Sequence, residues 1–288
     1  MGDTPTEKVA IRSSDGVLSR LTVYRAGRRD ASVVICLPAM GVKASYYGPL
    51  ARALVKGGRN CITADLRGHG ESGARPARGT DFGYGEMVKC DWPAVISRSK
   101  ALFPEAPTVI LGHSLGGQLS TLYMSEHPEQ VRALIMVAAP SLYYRNWSFP
   151  RSLWLLYSTQ LFRWVSALLG YFPGRRMGVG GTEAAGVARD WARVVRKGRY
   201  DMIDPAHDYV ELLKGLRMPL LAMSFSDDEF APRRAVDGLC ATMTGVDLTR
   251  WHITTEEMGC KTLGHFAWVK ESEKLADKMS EWLVGLGL

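Results

Sequence analysis

Short apolar runs alternate with amphipathic stretches through the first half of the chain. "LTVYR" (Leu21–Arg25), "SVVICL" (Ser32–Leu37), "NCITAD" (Asn60–Asp65), "TVILG" (Thr108–Gly112) and "ALIMVAA" (Ala133–Ala139) predict strands. Between them, "SYYGPLARALVKGG", "GEMVKCDWPAVISRSKALF" and "LGGQLSTLYMSEH" repeat their apolar residues at helical spacing, the last stopping at Pro128. The alternation resumes late with "MPLLAMSF" as a strand, "PRRAVDGLCATM" as a helix, "LTRWHIT" as a strand and "WVKESEKLADKMSEWLVGL" as a C-terminal helix. Strands that alternate with helices predict a mostly parallel central sheet with helices on both faces.

Residues 141 to about 209 break this rhythm. They hold Trp147, Trp154 and Trp164, a glycine-rich link "GRRMGVGG" and a basic helical pattern "AAGVARDWARVVRKG", with no visible strand pattern. The expected organisation is a core built from 1–140 and 210–288, with 141–209 inserted as a helical cap over the strand ends.

At "VILGHSLGGQLS" an apolar run stops at Gly112, Ser114 follows two residues on, and a helix pattern begins at once. A serine on a sharp strand-to-helix turn is lifted above the sheet edge, and glycines at 112 and 116 relieve the crowding. The Leu115 amide would stand at the helix N-terminus, where an unpaired donor favours a developing oxyanion. An alcohol needs a base to attack at neutral pH, and the base needs an orienting carboxylate. Both follow later strands: "SDDEFAP" comes after "PLLAMSF", and "LGHFAW" comes after "LTRWHIT".

Four stations in order therefore match one family: "LPAMGV", "DLRGHGES", "GHSLGG", and the pair "SDDEFAP" and "GHFAW". Over about Leu21–Ala139 and Met218–Leu288 the chain resembles the α/β-hydrolase superfamily. Within it, the chain is most similar to bacterial lysophospholipase-like and serine-aminopeptidase-like hydrolases. The resemblance implies Ser114 as nucleophile, His265 as general base and Asp228, four residues before Pro232, as the acid; Asp227 is the alternative. It implies backbone N–H groups of Leu115 and Met40 as the oxyanion hole, although Pro38-Ala39 stands where relatives usually carry His-Gly. It implies no metal and no organic cofactor, and serine at the nucleophile position excludes the branches that use aspartate there. His113 is expected to pack within the elbow, His69 and Asp65 to organise the "DLRGHG" turn, and His127, His207 and His252 to carry no motif.

Charge changes the picture by its location. The chain of 288 residues has a net charge of +7, and between Leu142 and Arg199 ten Arg or Lys stand against two acids, Glu183 and Asp190. The basic excess belongs to the cap. It favours an anionic partner, whether the substrate itself or an anionic membrane surface touched peripherally, and it disfavours a substrate with a free ammonium. No groove-reading motif accompanies it, so nucleic acid is not expected. The cap's apolar content makes Trp154, Phe162 and Trp164 candidate substrate-pocket residues. "SLWLLYSTQLFRWVSALLGYF" is interrupted by Gln160 and Arg163 and does not predict a transmembrane span. Five cysteines without a Cys-x-x-Cys pair and a polar opening stretch lead to the expectation of a cytoplasmic chain with buried free thiols.

The expected activity is hydrolysis of a carboxylic ester or thioester of a hydrophobic acyl compound. Cofactor-free acyl transfer or other non-hydrolytic chemistry on the same three residues is one alternative. A non-catalytic ligand-binding protein on the same scaffold is the other.

Overall fold

The computed structural model describes residues 6–177 and 180–288. Its strands are β1 (Thr6–Arg12), β2 (Leu18–Tyr24), β3 (Val33–Leu37), β4 (Asn60–Ala64), β5 (Thr108–His113), β6 (Ala133–Val137), β7 (Tyr171–Phe172), β8 (Glu183–Ala184), β9 (Pro219–Phe225) and β10 (Asp247–Ile253). Its helices are α1 (Gly48–Lys56), α2 (Tyr84–Glu86), α3 (Trp92–Leu102), α4 (Leu115–Glu126), α5 (Arg151–Leu169), α6 (Ala185–Lys197), α7 (Tyr209–Gly215), α8 (Arg233–Cys240), α9 (Thr255–Met258) and α10 (Ser272–Gly285).

Eight strands form one sheet in the order β1-β2-β4-β3-β5-β6-β9-β10. From β4 to β10 every neighbouring pair is parallel, while β2 runs antiparallel to both β1 and β4. All residues of β3, β4, β5 and β6 are buried. Strands covered on both faces need no polar alternation, which is why these runs are continuously apolar. Parallel strands also carry their C-terminal ends to one edge of the sheet. The loops after β3, β5, β9 and β10 therefore meet there, although they are far apart in the chain.

The expected strands and helices are present, with two corrections. β1 was not visible in the pattern, because "TEKVAIR" is an edge strand with most of its residues exposed. Within 141–209, β7 and β8 pair as a short antiparallel ladder where no strand was expected. Two residues on each side are too few to show a period of two.

The segment 141–209 contributes α5, α6 and this ladder. Val187, Val194 and Val195 of α6 join the main core, while Phe162, Phe172 and Ala188 form a small cluster of their own beside Trp191. Its polar fastenings are specific. Asp190 accepts the Tyr84 N–H at 2.9 Å, and Glu183 meets His69 Nε2 at 3.0 Å. Glu183 and Asp190, the only acids between Leu142 and Arg199, are thus spent, buried, on the junction with the rest of the protein. The other residues of "DLRGHG" fasten further pieces: Asp65 accepts N–H groups of Ala44 and Glu71, and Arg67 is buried between Asp15 and Asp91.

Burial pushes the Asp190 carboxyl up to about 6, against the opposing pull of the Tyr84 N–H and Arg189. A carboxyl that holds its proton more tightly when folded contributes stability in acid, and that contribution is lost as pH rises from 3.8 toward about 6. Asp190→Asn keeps an oxygen for the Tyr84 N–H and cannot ionise. The variant is expected to match or exceed the parent in stability at neutral pH and to lose the decline between these two values. Urea unfolding across pH measures both.

Candidate active site

The site starts from a backbone constraint at the end of β5. Ser114 has φ 51° and ψ −116°, a conformation rare for a residue with a side chain. Its N–H donates to Val137 O at 2.9 Å, and the next turn is fixed by Gly116 N–H donating to Pro38 O at 3.1 Å. A Cβ at position 116 would stand 2.4 Å from Leu37 O, and one at 112 would stand 2.4 Å from Gly117 Cα. The two glycines allow α4 to start directly against β5 and the loop after β3.

His265 comes to this turn from the loop beyond β10. Its Nε2 lies 3.0 Å from Ser114 Oγ, and its Nδ1 lies 2.9 Å from Asp228 Oδ2. The other Asp228 oxygen accepts N–H groups of Phe230 and Ala231, both at 2.8 Å, which fixes the carboxylate plane. Of the two neighbouring aspartates, Asp228 is the one that reaches the histidine. Asp227 instead accepts from Thr262 Oγ1 and from the N–H groups of Leu263 and Gly264, tying its loop to the histidine loop. Burial raises its carboxyl, but these donors outweigh burial and hold it below the usual aspartate range.

His113 is fully buried beneath His265, with ring centres 4.9 Å apart. Tyr47 Oη receives the Ala39 N–H and is hydrogen-bonded to His113 Nδ1 at 2.7 Å. Burial, with the neighbouring His265 a lesser influence, drives its basicity well below the ordinary histidine value. An imidazole held toward its neutral form thus packs against the His265 ring. At His69 burial lowers basicity, but the Glu183 hydrogen bond and charge outweigh it and raise the group above its ordinary value. That histidine belongs to the fastening described above.

Ser114, His265, Leu115 and Met40 share one cavity of about 360 Å³. Among the described residues, the N–H groups of Leu115 and Met40 have no protein acceptor. The walls are mostly apolar: Leu142, Trp147, Trp154, Leu155 and Trp191 from one side, Phe230 and Phe266 from the other. Arg151 and Glu229, 2.6 Å apart, also line it and form an exposed ion pair.

Of the three candidate pocket residues, only Trp154 reaches the cavity. Phe162 is turned into the cluster with Phe172, their rings 4.6 Å apart, and Trp164 faces solvent under Arg163. The reason is helical rotation: Arg151, Trp154 and Leu155 share one side of the first turns of α5, and later residues turn away or lie beyond the cavity. Phe230 and Phe266 were overlooked although each sits within two residues of Asp228 or His265. Trp147 and Trp191 carried no local signal. Among the described residues, no group of three or more His, Cys, Asp or Glu side chains is placed to hold a metal ion.

Gly116→Ala forces its methyl group against the Leu37 carbonyl, which belongs to a buried strand and cannot retreat. The substitution is expected to cost about 1–3 kcal/mol in chemical unfolding, and more if the elbow must open.

A family model described as the alpha/beta hydrolase fold matches residues 32–233. Lysophospholipase L2 of Escherichia coli is 32% identical over 127 residues, covering 43% of this chain and 37% of that protein. The pimeloyl-[acyl-carrier protein] methyl ester esterase of Chromobacterium violaceum is 29% identical over 120 residues, 41% of each chain. The alignments thus span about two fifths of the length of these relatives. Among solved structures, Est1E of Butyrivibrio proteoclasticus with ferulic acid bound superposes with a TM-score of 0.65 over 96% of this chain and 98% of its own, at 12% identity. An esterase of Pyrococcus furiosus gives 0.63 over 97% and 92%, at 16% identity. Likenesses at such low identity speak for the fold. Together with the matched model, which spans more than half of the sequence, they show that the chain belongs to the α/β-hydrolase fold family.

Proposed function

We propose that the chain is a serine hydrolase that cleaves a carboxylic ester or thioester of a hydrophobic acyl compound. One observation carries the reading: the relay from Ser114 Oγ to His265 Nε2 and from His265 Nδ1 to Asp228, at 3.0 and 2.9 Å, opens onto an apolar cavity. His265 Nδ1–H donates a hydrogen bond to Asp228, which keeps Nε2 unprotonated and able to accept the Ser114 proton as the hydroxyl attacks the carbonyl carbon. The tetrahedral oxyanion is held by the Leu115 and Met40 N–H groups. His265 then gives its proton to the departing alkoxide or thiolate, leaving the acyl group on Ser114. Water, deprotonated by the same histidine, releases the acid and restores the serine.

Residues 141–209 act in this reading as a cap that supplies Trp147, Trp154, Leu155 and Trp191 to the acyl cavity. The names of the relatives, a lysophospholipase and a methyl ester esterase, support ester substrates. The cap's arginines suit a substrate with an anionic portion, and the Arg151–Glu229 pair at the cavity is the nearest charge that could meet it. Cys36 and Cys61 lie side by side, 3.6 Å apart and unbonded, and the other three cysteines are also free. A cysteine pattern without a Cys-x-x-Cys pair or a disulfide-framework spacing supports a cytoplasmic location.

An active-site phosphonate is expected to label Ser114 in the folded protein and to leave Ser114→Ala unlabelled. Absence of labelling would leave only a binding role on this scaffold. Ser114→Ala, His265→Ala and the double variant are each expected to lower kcat by about 10⁶, because the residues act as a unit. Additive losses would refute the relay. p-Nitrophenyl esters of increasing chain length are expected to improve until the cavity is filled. Product analysis with added alcohol or thiol separates hydrolysis from acyl transfer.

A further inference from the structure

Helix α5 is apolar on two opposite faces. Leu155, Thr159, Phe162 and Ser166 are its buried residues, packed toward the rest of the protein. The opposite face should be polar in a surface helix. Instead it presents Tyr157, Leu161, Trp164 and Leu168, with exposures of 68, 55, 65 and 76%, and Trp154, 60% exposed, continues it at the edge toward the cavity. Their spacing of three, four, three and four residues makes one continuous stripe along a helix about 28 Å long. Leu153 on the same side and Phe149 just before the helix extend it, both exposed. Single exposed apolar residues are ordinary, but a contiguous stripe of this size marks a surface that meets something apolar.

Charge identifies what it meets. α5 carries Arg151 and Arg163 and no acid, and Arg175 and Arg176 follow it, both exposed. Among the described residues, Arg145, Arg163, Arg175 and Arg176 pair with no carboxylate. Glu183 and Asp190, the only acids between Leu142 and Arg199, are withdrawn into contacts with the rest of the protein. A second copy docked on this stripe would add its own arginines to these and bring no acid on the helix to neutralise them. An anionic bilayer meets both features: tryptophan and tyrosine settle at the level of lipid headgroups, and each cation near the surface gains from negative lipid. Among the described residues no helix is long and apolar enough to cross a membrane, so α5 would lie in the plane of the interface.

We infer that the outward face of α5 docks the protein on the surface of an anionic membrane. Trp154 belongs both to this stripe and to the cavity wall, so docking brings the cavity to the headgroup layer, where an acyl chain would enter without crossing water. The test is sedimentation with phosphatidylcholine vesicles, with and without phosphatidylglycerol. It reads binding directly and needs no turnover, so it succeeds or fails apart from the hydrolase reading. The protein is expected to sediment with the phosphatidylglycerol vesicles and to be released by salt. Leu161→Glu with Leu168→Glu should weaken binding at least tenfold with an unchanged thermal midpoint, since both side chains already face water. Arg163→Gln and Arg176→Gln should each weaken it about fivefold. No sedimentation, equal binding to both vesicle types, or undiminished binding of the leucine variant overturns the inference. So does a dimer in ultracentrifugation that the leucine variant dissolves without any vesicle binding, which would make a second copy the occupant.

Discussion

The close approach of β5, α4 and the loop after β3 governs everything at the site. Ser114 sits in a backbone conformation that costs about 1–3 kcal/mol, and the surroundings over-determine it. Its N–H is taken by Val137 on the neighbouring strand, and the Gly116 N–H is taken by Pro38. The same bond places the loop bearing Met40 beside the elbow. The turn that exposes the hydroxyl thus also sets the donors around it, and neither could be adjusted without disturbing two buried strands.

Around this fixed point the other groups are held by networks of unequal rigidity. Asp228 is locked by two backbone donors, and Asp227, its neighbour, joins the acid loop to the histidine loop. Two adjacent aspartates therefore divide the work: one orients an imidazole and one holds two loops in register. Beneath them the neutral His113, hydrogen-bonded to the Tyr47 hydroxyl, fills space without adding a competing charge beside His265. A cation at that position would disfavour a second positive charge on the His265 ring.

The segment 141–209 shows how a small number of acids shapes a basic surface. Glu183 and Asp190, the only acids between Leu142 and Arg199, face inward to His69 and to the Tyr84 amide, while Asp201 just beyond pairs with Arg193. What remains outside is a cationic surface around an apolar helix face.

The strand–helix alternation, the elbow and the order serine, acid, histidine were legible in the sequence, because buried parallel strands are continuous apolar runs and turn residues are local. β1 and the β7–β8 ladder were not, since an edge strand is half polar and two residues show no period. Asp228 was favoured over Asp227 by its distance from Pro232, yet only the assembled loops show which carboxylate faces the histidine. Phe162 and Trp164 looked as suitable for the pocket as Trp154. Which of them lines the cavity depends on the rotation of α5 against α6, a property of packing between elements. The sequence by itself determined which residues could do chemistry and in what order they follow the strands. The tertiary structure alone decided which of them meet, because side chains separated by as many as 151 positions are brought within 3.0 Å only by the shared direction of parallel strands.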